Sequence, residues 1–134
     1  MARYLLDSDI VVDLLKGTPS AVNRMNALDE QEHLLCLCDI VIAEVMSGVH
    51  DDDRNDAEGL LRSFAFLEST ADIGPQAGIR RYSYAREGTF LSVADAIIAA
   101  TALEYDATLV SRNTRHFPMP ELRVTTPGIA SERG

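Results

Sequence analysis

Tryptophan is missing from these 134 residues, and Lys16 is the only lysine. Chemistry that needs a lysine late in the chain is therefore excluded. Cysteine is nearly as scarce. Cys36 and Cys38 flank Leu37 in an apolar run, so on a strand both face one way, too close along the chain for a disulfide. No further Cys or His stands at zinc-ligand spacing, and the pair is expected to act as small buried hydrophobes. There is also no run of about 18 apolar residues, which excludes a membrane helix. Asp7 and Asp9 interrupt the first apolar stretch, so no signal peptide is read and a cytoplasmic location is expected. Positive charge is in deficit, with 12 Lys and Arg against 21 Asp and Glu, a net charge of −9. Such a surface repels phosphate backbones and excludes a passive nucleic-acid-coating module. It suits an enzyme that interposes a divalent cation, or a protein with a basic partner.

What is present alternates between short apolar runs and helical patterns. Arg3–Leu6, Leu34–Cys38 and Thr108–Val110 read as strands, with a further one at Leu122–Thr125. Helices are expected from Asp9 to Leu15, stopped by Gly17, and from Thr18-Pro19 onward. A third runs from an Asp39 cap to about Val49, and a fourth begins at Asp51-Asp52-Asp53 and carries Leu60, Leu61, Phe64 and Leu67. A polar helix reaches Arg86, stopped by Gly88, and an apolar one spans Ser92 to Tyr105. This order predicts a single α/β domain over 1–126, with a mostly parallel sheet of four or five short strands flanked by helices. The segment 127–134 is expected to be a flexible tail. In parallel sheets, sites form beyond the C-terminal ends of the strands, where Asp7 and Ser111 fall.

Three carboxylates stand out, each with a plain alternative. Asp7 follows a strand where acids commonly cap helices, although Asp9 is the better cap of the two. Glu44 shares its helix face with Ile40, Val41, Ser47 and Gly48, and no basic residue stands at pairing distance along the helix. It must either reach solvent or meet a cation, since unpaired burial is costly. Asp95 is the only charged side chain between Gly88 and Leu103, yet Ser92 and Asp95 also have capping-box spacing. Acids brought together repel unless a cation is present, and a hard ion such as Mg²⁺ takes oxygen ligands.

Four segments in order resemble the PIN-domain nucleases, specifically the VapC toxins of toxin–antitoxin pairs. They are Tyr4–Val11, Ile42–Val49, Ser92–Leu103 and Thr108–Phe117. The resemblance implies a PIN-like three-layer fold. It also implies Mg²⁺- or Mn²⁺-dependent RNA cleavage by an activated water, with Asp7, Glu44 and Asp95 as metal ligands. Asn113 stands where the family often has a fourth acid, so weaker or one-metal binding is expected. Ser8, Asp9 and Ser111 would support the acids, and Arg112, Arg115 and His116 would contact RNA. A VapB-like antitoxin and a toxin homodimer are implied as well. Arg80, Arg81 and Arg86, interleaved with Tyr82 and Tyr84, form a second candidate patch, against the plainer reading of a solvated helix face.

Two rivals remain. Asp7-Ser8-Asp9 also resembles the opening of haloacid-dehalogenase-type phosphatases, but those need a downstream lysine and Lys16 is too close to serve; receiver domains fail likewise. An acidic α/β binding module whose carboxylates merely cap helices is the non-enzymatic alternative.

Overall fold

The apolar runs become the inner strands of one sheet in the computed structural model, which describes residues 1–128. The strands are β1 (Arg3–Leu6), β2 (Leu34–Cys38), β3 (Ala65–Leu67), β4 (Thr108–Val110) and β5 (Val124–Thr125). The helices are α1 (Ser8–Leu15), α2 (Pro19–Glu30), α3 (Asp39–Ser47), α4 (Arg54–Arg62), α5 (Ile73–Arg86) and α6 (Val93–Glu104). Every pairing is parallel, in the order β3-β2-β1-β4-β5.

Consecutive residues toward the C-terminal ends of the central strands are buried: Leu5 and Leu6 of β1, Leu109 and Val110 of β4. Neighbours on a strand face opposite ways, so the sheet is covered on both sides, a three-layer arrangement. The helices around it use small residues for close approach. In α6, Ala96, Ala99, Ala100 and Ala102 are buried, and Ala96 and Ala100 meet Ile73 and Ala77 of α5.

Cys36 and Cys38 are free and buried, as expected. Burial pushes the Cys38 thiol up to about 11, which makes it unreactive at neutral pH. The segment predicted as one long helix from Asp51 through Leu67 is instead a 3-10 turn at Asp51–Asp53, then α4, then β3. Ser63 ends the helix by bonding both its amide and its hydroxyl to the Leu60 carbonyl. The chain then pairs Ala65–Leu67 with Cys36–Cys38. The cap of α1 is Asp7 rather than Asp9, and Asp39 is the first residue of α3, preceded by Cys38. Of the predicted tail, Pro127 is buried; residues 129–134 lie outside the described residues. No helix among the described residues is long and apolar enough to cross a membrane.

Candidate metal-dependent nuclease site

The winding of the sheet reverses at β1. The chain steps outward to β2 and β3, then returns to place β4 on the other side of β1. At such a switch point the strand ends splay and leave a crevice. Asp7 leaves β1 there, its amide donating to the Val110 carbonyl at 2.9 Å. Its carboxylate is 5% exposed. Oδ1 accepts the Ser8 amide at 2.8 Å, and Oδ2 accepts the Ser111 hydroxyl at 2.7 Å. Ser111 is itself fully buried at the end of β4, and its Oγ accepts the Asn113 amide at 3.0 Å. The loop after β4 is thereby tied to the acid after β1.

Two other helices complete the crevice. Glu44 comes from α3, exposed but reaching toward Ser8, Asp7 and Asp95. Asp95 lies in the first turn of α6, where Ser92 Oγ accepts its amide at 3.0 Å. Capping thus uses the backbone of Asp95, and leaves its carboxylate to meet His116 Nδ1 at 3.5 Å. Asp7, Ser8, Glu44, Ser92, Asp95 and Asn113 line one cavity of about 460 Å³ together with Phe90, Arg115 and His116. A groove of about 600 Å³ that shares Glu44 is larger, but its other acids, Asp53 and Asp56, stand among Lys16, His50 and the apolar Val12, Leu15 and Val45. Chemistry, and not size, marks the smaller one.

Partial burial raises the carboxyl pKa of Glu44, and the charges of Asp7 and Asp95 raise it further against a Ser8 hydrogen bond. Asp95 is raised first by burial and also by Asp7, with Ser92 and His116 opposing. Glu44 has no basic partner among the described residues and Asp95 has only His116, a condition in which a cation binds well. The donors are all hard oxygens, which fit a Mg²⁺-type ion. Among the described residues no three His, Cys, Asp or Glu side chains close into a metal cage. That arrangement fits an ion held by one or two carboxylates and its own water.

Asp9 and Arg112 do not line the cavity. Asp9 Oδ2 accepts the Arg112 amide at 2.9 Å and Asn113 Nδ2 at 3.2 Å. The Arg112 guanidinium reaches Asp13 at 2.9 Å and Asp9 at 3.9 Å, so it braces the loop after β4 from outside the cavity. Asp7 lines the cavity and Asp9 does not, so the nucleophile-and-acid pair of a phosphatase is not presented to one cavity. The patch on α5 also disperses: Arg80 pairs with Glu121, Arg81 donates to the Leu91 carbonyl, and Arg86 bonds the Tyr82 hydroxyl. Phe90 was not anticipated, because a lone aromatic in a loop carries no periodic signal.

A family model described as the PIN domain matches residues 4–121. The chain belongs to the PIN-domain family. Ribonuclease VapC19 of Mycobacterium tuberculosis is 33% identical to it over 122 residues, covering 89% of this chain and 96% of that protein. Among solved structures, a toxin–antitoxin complex from Klebsiella pneumoniae has TM-score 0.75 and 29% identity, covering 92% of this chain and 97% of the other. VapBC2 of Rickettsia felis, solved on a promoter DNA fragment, has TM-score 0.81 and 24% identity, with 92% and 98% covered. The Rickettsia felis likeness supports the fold alone; the relative at 33% identity places this PIN domain with the VapC type.

Proposed function

We propose that this PIN domain is a divalent-metal-dependent endoribonuclease, the toxin of a toxin–antitoxin pair, acting in the cytoplasm as one nuclease domain over 1–126. The carrying observation is the convergence of Asp7, Glu44 and Asp95, from three separate elements, on one cavity bordered by Arg115 and His116. Asp7, Glu44 and Asp95 line the cavity that would hold Mg²⁺ or Mn²⁺, with one or two of them on the ion directly and water completing its shell. When bound, the ion supplies an activated water and offsets charge on the phosphate under attack. Ser8 and Ser111 orient Asp7, and Asp9 holds Asn113 so that its amide oxygen is left for the cavity. Arg115, which has no ion-pair partner among the described residues, and His116 would position the phosphodiester. The partners implied are a VapB-like antitoxin and a second copy of the chain.

The test is incubation of the purified chain with RNA plus Mg²⁺ or Mn²⁺, with and without EDTA, beside Asp95→Asn. Cleavage with free 5′-phosphates, lost in EDTA and in the variant, is expected. Cleavage persisting in either would overturn the metal–carboxylate mechanism.

A further inference from the structure

Phe90 is 79% exposed, yet it borders the same cavity as the three acids. A single exposed apolar side chain is ordinary on a protein surface. This one is held in place from both sides. Gly88, at φ +85°, ends α5 and turns the chain, and the Thr89 amide donates to the Tyr84 carbonyl at 2.9 Å. Beyond it, Leu91 is buried and Ser92 caps α6. Arg81 completes the clamp: its Nε donates to the Leu91 carbonyl at 2.9 Å, and its guanidinium carbon lies 5.8 Å from the Phe90 ring centroid. The ring is therefore oriented by a cation fixed to the backbone beside it, and most of its surface is open at the rim of the cavity.

We propose that Phe90, steadied by Arg81, is the stacking platform for an unpaired base next to the scissile phosphate. The inference rests on the ribonuclease reading and names its substrate form. A strand whose phosphate lies between the acids and Arg115 brings the adjoining base to the cavity rim. There an aromatic face offers stacking to any base, and the neighbouring guanidinium adds a favourable charge. Bases in a duplex are already stacked, so the platform selects single strands and loops. Ile79, Tyr82 and Val93 are also exposed, and a second copy of the chain covering Phe90 is the competing occupant. The position of the ring on the acid cavity favours RNA.

The experiment uses short single-stranded RNAs of randomised sequence carrying 2-aminopurine, whose fluorescence falls when the base stacks. Binding is measured in Mn²⁺ with the cleavage-deficient Asp95→Asn chain, and KM and kcat are measured with otherwise unaltered protein. Phe90→Ala and Phe90→Leu should abolish the quenching and raise KM about tenfold or more, with kcat nearly unchanged. Phe90→Trp should retain both, and Arg81→Gln should give an intermediate KM. Quenching and KM unchanged in Phe90→Ala and Phe90→Leu would overturn the platform while leaving the nuclease intact. A fall in solution mass with loss of kcat would overturn it in favour of a second copy. Failure of the unaltered chain to bind or cut any RNA would overturn the ribonuclease reading, and the platform with it.

Discussion

Ser111 is buried to no purpose but its hydroxyl, which donates to Asp7 and accepts from Asn113. Ser111→Ala leaves a buried Asp7 oxygen short of a donor, and should cost about 1–3 kcal/mol in chemical denaturation. Metal affinity or activity should fall about 10- to 100-fold, as for other residues that orient a ligand. Asp95→Asn should behave oppositely toward stability. Burial and the Asp7 charge disfavour ionised Asp95, so the amide should raise the thermal midpoint in metal-free buffer while abolishing cleavage. A lower midpoint would show that Asp95 contributes more to the fold through His116 than it costs. Asn113 gains a rationale at this scale too. Its Nδ2 donates to Asp9, and an acid at 113 would set two carboxylates against each other.

At the scale of elements, α6 joins packing to chemistry. Its alanine face lets α5 approach, and its first turn presents Asp95 to the cavity. Ala100→Leu should overpack that contact and cost about 1–3 kcal/mol, read as a lower denaturation midpoint, with the site displaced along with the helix. The same helix shows what could be read in advance. An uncharged run broken by one acid marked both the element and the residue, and the buried runs of β1, β2 and β4 were equally plain. Strand β3 was not, because Leu60, Leu61, Phe64 and Leu67 keep helical spacing across a break made by Ser63 and by pairing with β2. The cap of α1 was misassigned because Asp7 and Asp9 are both good caps. Only the sheet, through Val110 and Ser111, settles which one turns back to the helix. The pairing of Arg112 with Asp13 was hidden for a similar reason: nothing in the local sequence links the loop after β4 to α1.

For the whole molecule, acidity has a cost that a cation relieves. The carboxyls of Asp9, Glu44 and Asp95 are all raised from their ordinary values of 3.8, 4.5 and 3.8, each chiefly by burial. Each therefore binds its proton more readily folded than unfolded. Their contribution to stability is full below the ordinary values and is lost as pH rises through the raised ones. In EDTA the thermal midpoint should climb as the pH falls through the raised carboxyls toward their ordinary values. With Mn²⁺ the trend should weaken or reverse, since the ion needs the ionised forms. Cleavage should fall on the acid side for the same reason. A metal-free midpoint that falls steadily over this range would contradict the raised carboxyls.

The bond between Asp7 and Ser111 spans 104 residues of chain, and that separation is also an interval of time. At about 5–20 residues per second, roughly 5–20 s of synthesis separate the acid from the serine that orients it. Until β4 has been made and has paired with β1, Asp7 has no floor beneath it and Asn113 does not exist. On the ribonuclease reading, a nascent chain that already carries Asp7, Glu44 and Asp95 still lacks the serine that orients the first of them, so its cutting site is assembled only once β4 has emerged.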